Sequence, residues 1–184
     1  MSKRIILNET SYFGKGAIKE IINELQSRHF QKILVTTGED LLEFGVATKV
    51  TDLLRDAGIN FEVYTDIKPN PTIENIKNGV DVCKRFDAQA IVAIGGGSII
   101  DAVKLMANTL DLTYITVPST LSNDAIYSPI ARLLKDGKKQ SFGVKAPLGI
   151  IADVNIIKGS PEKLLLAGVG DLVSNASAVK DWYL

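Results

Sequence analysis

The sequence predicts an α/β fold, a mainly parallel sheet covered by helices, and three observations carry that expectation. Short apolar β-rich runs alternate with stretches of helical periodicity along the chain. An apolar run at 90–94 leads directly into Gly95, Gly96 and Gly97 and then into a helical pattern, the layout of a strand–turn–helix unit. The 184 residues, 46% hydrophobic and 23% charged, suffice for a substantial core and match ordinary globular chains.

A helix is expected over 14–28, where Ile18, Ile21, Ile22 and Leu25 recur at helical spacing. Strands are expected at 32–37 and 60–64, on either side of a helix over 41–57. Pro69-Asn70-Pro71 forces an extended connector, after which Thr72 can cap a helix over 72–86, with Asn75 three residues on. Strands follow at 90–94, 114–117 and 148–152. Between the last two, 130–134 and 140–144 flank an Asp136-Gly137 step that favours a hairpin, so an antiparallel flap is expected there. Pro161 suits a first helical position, with a helix expected from there towards Ala167, and 171–184 also has helical spacing without a terminating signal. The expected division is a dinucleotide-binding α/β domain over 1–159 and, over 160–184, the beginning of a second domain cut within a helix.

The charge balance, 21 basic against 21 acidic side chains, provides no overall field to attract nucleic acid or an anionic membrane. No run reaches the roughly 18 apolar residues of a membrane span, and the first residues lack the apolar core of a signal peptide, so a cytoplasmic protein is expected. Cys83 is the single cysteine, which excludes an intramolecular disulfide and a multi-cysteine metal site; it reads as a packed or surface thiol. His29, the single histidine, reads as a residue near a helix end.

The chemistry concentrates at Gly95, Gly96, Gly97 and Ser98. Glycines let a ligand approach the backbone closely, and the free N–H groups of the helix start can bind a diphosphate. The spacing matches neither G-x-G-x-x-G nor a P-loop, and a tight turn with no ligand is the plainer alternative. Asp101 and Lys104, three residues apart, read equally as a helix-surface ion pair and as a device that fixes the glycine turn or touches a cofactor. Pro118-Ser119-Thr120 follows a strand, where ligands gather at the carboxyl ends of parallel sheets. By themselves, Ser122-Asn123-Asp124 suggest a turn or cap, and Asp171 after Gly170 suggests an N-cap.

The combination of Lys68-Pro69-Asn70-Pro71-Thr72 with Gly95-Gly-Gly-Ser-Ile-Ile-Asp101-Ala-Val-Lys104 resembles the iron-containing alcohol dehydrogenase and dehydroquinate synthase superfamily. The segments 117–129 and 167–182 are similar to its sn-glycerol-1-phosphate dehydrogenase branch, as the amino-terminal part of such a protein. The resemblance implies a Rossmann-like mainly parallel sheet followed by an all-helical domain. It implies that Gly95 and Gly96 shape the cofactor turn, while Gly97, Ser98, Ile99, Ile100 and Asp101 contact the diphosphate of NAD(H) or NADP(H). Ser119, Thr120, Leu121 and Ser122, with Ser128, would line the nicotinamide side. Asp124 would hold a substrate hydroxyl, and Asp171 would bind both substrate and a divalent metal, zinc, nickel or iron.

The activity implied is the metal-dependent reduction of dihydroxyacetone phosphate to sn-glycerol 1-phosphate by a homo-oligomeric enzyme. The two histidines that complete the family's metal site are not in this sequence, so the 184-residue chain is expected to bind cofactor and to turn over little or nothing alone. Asn175 stands where longer alcohol dehydrogenases of the superfamily carry another histidine. Gly38 falls where strictly NAD-dependent relatives place an aspartate against the adenosine ribose; Glu39 and Asp40 beside it leave the choice between NAD and NADP open. A glycerol dehydrogenase and a stand-alone nucleotide-binding module are the alternative readings. A dehydroquinate-synthase-like lyase is disfavoured, because the basic and acidic residues expected around its substrate are not matched.

Overall fold

The computed structural model describes residues 8–135 and 137–182. Part of the expected 1–159 domain, the Asp136 of the predicted hairpin turn and the end of the predicted last helix therefore lie outside the described residues. A six-stranded parallel sheet forms the centre: β1 (Thr10–Gly14), β2 (Lys32–Thr37), β3 (Asn60–Tyr64), β4 (Ala90–Gly95), β5 (Thr113–Pro118) and β8 (Gly149–Asp153), in the spatial order β1-β8-β5-β4-β2-β3. Two further strands, β6 (Ile130–Lys135) and β7 (Lys138–Gly143), make the antiparallel hairpin that the sequence predicts, with Gly137 at φ 72° in its turn. The α/β expectation is thus met.

Central strands alternate their side chains between two cores. Ile33, Val35, Val92, Ile94, Ile115 and Val117 face a cluster that includes Ile21 and Leu25 of α1 (Glu20–Ser27) and Val50 and Leu54 of α3 (Val46–Asp56). Leu34, Ile91, Ala93 and Tyr114 face the other side, against Val80 and Cys83 of α4 (Ile73–Phe86) and Val103 and Met106 of α5 (Gly97–Leu110). With helices on both faces, every position of β4 is buried, which is why its sequence is a continuous apolar run rather than an alternating one. Burial pushes the Cys83 thiol up to about 12, the behaviour of an inert packed cysteine.

Thr72 caps α4 with the expected box: its hydroxyl accepts from the Asn75 N–H, and the Asn75 side chain accepts from the Thr72 N–H. Three expectations are corrected. Residues 14–28 are not one helix, because Thr10–Gly14 forms strand β1 and a 3₁₀ turn at Ala17–Lys19 precedes α1. The reason is tertiary: Gly14 and Gly16 take φ of 151° and 78°, and the buried Asp153 carboxylate accepts from the Gly16 and Ile18 N–H groups, both at 3.1 Å. Residues 41–57 divide into a short α2 (Glu39–Glu43) and α3, since Gly45 at φ 73° interrupts the helix between them.

Finally, after the short α6 (Val154–Ile157), a single helix α7 (Glu162–Asp181) replaces the two expected stretches. Asp171 is inside α7 and caps nothing. Of the 20 residues of α7, only Gly168 is buried, while Leu166, Val169, Leu172, Val173 and Val179 are all more than half exposed.

Candidate functional site

The chain leaves β2 towards β3 on one side and β4 towards β5 on the other, so the carboxyl ends of β2 and β4 bracket a topological switch point. Such a point opens a crevice in any parallel α/β sheet, because successive crossovers diverge there. A cleft of about 950 Å³ occupies it, lined from β2 by Gly38 and Asp40, from the β4 turn by Gly96, Gly97 and Ser98, and from the β5 loop by Ser119, Thr120 and Ser122.

The turn is built for close approach. Gly96 precedes α5 in an extended conformation and supplies no side-chain cap, so the Gly97, Ser98 and Ile99 N–H groups have no partner within the helix. They stand at the positive end of a 14-residue helix dipole, a natural anion seat. A Cβ on Gly96 would come within 3.0 Å of the Thr120 methyl, and one on Gly97 within 3.0 Å of the Asn123 amide. Glycine is thus favoured here by crowding and not by φ. The Ser119 N–H donates to the Gly95 carbonyl at 3.1 Å and locks the β5 loop to the turn. The Thr120 and Ser160 hydroxyls are buried without a hydrogen-bond partner, and both residues line the cleft.

Asp101 and Lys104 are not a surface pair, and Asp101 also lines the cleft. The Lys104 side chain is fully buried; its ammonium donates to Asp101 Oδ1 at 3.1 Å and to the Ile130 carbonyl at 2.8 Å. The other Asp101 oxygen accepts from the Arg132 N–H at 3.1 Å. Burial holds the Asp101 carboxyl above the usual carboxylate range and the Lys104 ammonium below its usual one, each opposed by the charge of the other. Together they fasten the β6–β7 hairpin to α5, and the Leu134 N–H fastens it again to the Pro71 carbonyl at 3.0 Å.

Among the other expected residues, Asp124 and Ser128 line the same cleft, with the Ser128 N–H donating to the Asp124 carbonyl at 2.9 Å. Asp124 opens a 3₁₀ turn whose cap is Asn123, so its exposed carboxylate is spared from capping. Four expected residues do not line the cleft. Gly95 is buried at the end of β4; Ile100 turns its side chain into the core, while its N–H is taken by the Gly96 carbonyl at 3.1 Å. Leu121 instead turns its carbonyl against Gly168, which has no room for a Cβ. Asp171, half-buried, lies three residues past Gly168 and so on the same face of α7, near the loop but outside the cleft wall.

Sequence reasoning missed Asn123, Arg132 and Lys139 as lining residues, and it read Pro69-Asn70-Pro71 as a connector within a family motif but not as the cleft wall it forms. No local signal marks Arg132 and Lys139, because the hairpin is brought to the cleft by distant contacts, the buried ion pair and the Leu134–Pro71 hydrogen bond. His29, at φ 59° after α1, is exposed and not part of the site.

Residues 12–161 match the family model described as iron-containing alcohol dehydrogenase. The chain belongs to this family. A glycerol-1-phosphate dehydrogenase [NAD(P)+] of Archaeoglobus fulgidus is 35% identical across 94% of this chain and 48% of its own length. One from Methanococcus maripaludis is 40% identical across 93% of this chain and 44% of its own length. The branch similarity read from 117–129 and 167–182 is therefore matched by whole-chain identity, and the chain spans about half the length of these curated relatives. The NADH-dependent butanol dehydrogenase A of Thermotoga maritima superposes with a TM-score of 0.83 at 22% identity, covering 94% of this chain and 49% of that one, which shows the shared fold.

The turn fits a dinucleotide: unpartnered N–H groups, glycines crowded by the opposite loop and orphaned hydroxyls share one cleft. A metal is a different matter. Among the described residues no three His, Cys, Asp or Glu side chains stand together that could hold one, so Asp171 by itself does not make a metal site.

Proposed function

We propose that this chain is the dinucleotide-binding part of an NAD(P)-dependent sn-glycerol-1-phosphate dehydrogenase, which interconverts dihydroxyacetone phosphate and sn-glycerol 1-phosphate by hydride transfer. The observation that carries the reading is the glycine turn at the switch point, its helix-start N–H groups aimed into a cleft whose opposite wall offers hydroxyls. When bound, the nicotinamide supplies or accepts the hydride.

The residues of this chain do the rest by position. The Gly97, Ser98 and Ile99 N–H groups hold the diphosphate, with Gly96 keeping the approach open. Ser119, Thr120, Ser122 and Ser128 orient the nicotinamide end, and Asp124 accepts a hydrogen bond from a substrate hydroxyl. Asp101 acts through Lys104 and the Arg132 N–H, keeping the hairpin closed over the turn.

In this reading 1–159 is the cofactor domain and α7 opens a helical domain for metal and substrate. A divalent metal, whether zinc, nickel or iron, enters only with Asp171 as one ligand and the others from outside these 184 residues. The chain alone therefore binds cofactor and gives little turnover. A cytoplasmic homo-oligomer completes the picture; no described helix is long and apolar enough to cross a membrane.

Titration with NADH and NADPH, followed by nicotinamide fluorescence, tests the reading. The parent chain should bind saturably, and Gly97→Asp should weaken binding by roughly a hundredfold, since it sets a carboxylate against the phosphate and crowds Asn123. Failure of the well-folded parent to bind either cofactor would remove the reading.

A further inference from the structure

We infer that Asp40 makes this cleft prefer NAD(H) to NADP(H), its carboxylate taking the place beside the adenosine ribose that Gly38 leaves empty. The inference rests on the dinucleotide reading of the cleft and goes beyond it to the cofactor's identity.

The two walls flanking the glycine turn differ in chemistry. On the β5 side stand Ser119, Thr120, Ser122 and Asp124, which suit an amide and a polyol. On the β2 side stand Leu41, Phe44 and Val46, with the Phe44 ring 80% exposed, an apolar ledge suited to a purine. A diphosphate seated on the N–H groups between them directs the adenosine half over β2. The end of the strand next to the phosphate-binding turn is where a carboxylate meets the ribose hydroxyls in α/β dinucleotide sites.

At that strand end the residue is Gly38, and its backbone is ordinary extended chain, φ −86° and ψ 153°, which any residue adopts. What fills the space of its missing side chain is the Asp40 carboxylate: a Cβ built on Gly38 overlaps Asp40 Oδ1. Asp40 lines the cleft and Glu39 does not, which resolves the ambiguity between the two acids. From 38 to 46 the chain carries Glu39, Asp40 and Glu43 and no lysine or arginine, so this wall offers nothing to neutralise a 2′-phosphate. The two cations in the cleft lining, Arg132 and Lys139, come from the hairpin. Asp40 therefore accepts from the ribose 2′-hydroxyl of NAD(H) and repels the phosphate that replaces it in NADP(H).

The test is a set of fluorescence titrations of the purified protein, Asp40→Asn and Asp40→Ser with NADH and with NADPH. The parent should favour NADH by roughly tenfold or more, the effect of one unscreened charge pair at close range. Both variants should narrow that ratio at least severalfold, mainly by gaining NADPH, and salt should narrow it in the parent but not in the variants. A parent that binds both cofactors alike, or a ratio unchanged in Asp40→Asn, would overturn the role of Asp40 while leaving the cleft a dinucleotide site. A folded parent that binds neither would overturn the dinucleotide reading and this inference with it.

Discussion

Helices α5 and α7 are both rich in aliphatic residues, yet they have opposite fates. Seven of the 14 residues of α5 are buried and its first turn faces the cleft, whereas α7 buries only Gly168 among 20. The contrast teaches that apolar content does not fix a helix's role; the face available to it does. The sheet covers α5, while α7 is mostly exposed and approaches the rest most closely where Gly168 meets the Leu121 carbonyl. The glycine-turn cleft therefore stands on a buried core, while α7 leaves most of its surface exposed.

Four substitutions break or sharpen this contrast. The largest effect should follow Lys104→Met, which leaves Asp101 buried opposite no cation and frees the hairpin. About 4 kcal/mol of stability at neutral pH should be lost, read by urea denaturation. The sign with pH is fixed: burial already holds the Asp101 carboxyl above its usual range, and loss of Lys104 raises it further. A group whose folded-state pKa is raised stabilises the fold at low pH and ceases to as pH rises through that value, so the deficit should shrink between pH 8 and pH 5. Next, Ile100→Ala on the buried face of α5 should cost about 3 kcal/mol by leaving a cavity.

On α7 the effects should be smaller. Gly168→Ala drives a methyl into the Leu121 carbonyl and should cost about 2 kcal/mol, confined to the α7 contact. Faster proteolytic cleavage within α7, with the sheet's unfolding midpoint retained, is the expected signature; global unfolding would show that α7 is integral to the core. Leu172→Ala, at a residue 72% exposed, should change stability by less than about 0.5 kcal/mol. A loss of several kcal/mol there would mean that α7 is packed in solution and that the contrast fails.

Legibility in the sequence followed the range of the interactions. The strands β2, β3, β4, β5 and β8, the Thr72 box, the hairpin and the glycine turn were all readable, since each depends on neighbours within a few residues. Strand β1 was not, because its polar edge pattern gains strand character only by pairing with β8, some 140 residues away in sequence. At the site, Gly96, Gly97, Ser98, Ser119, Thr120, Ser122, Asp124 and Ser128 were expected and share the cleft. Ile100 turns its side chain into the core, which a motif cannot show because it records spacing and not which way a side chain turns.

By itself, the sequence determined the alternation of strands and helices and the absence of a helix cap at Gly96, both properties of backbone freedom and local hydrogen bonding. Only the tertiary structure decided that Asp101 and Lys104 form a buried clamp on the hairpin and that Asp40, not Glu39, faces the cleft. It alone decided that Gly168 of α7 packs against the Leu121 carbonyl. Those outcomes depend on burial and on which distant groups face one another, and neither exists until the sheet has brought its edges together.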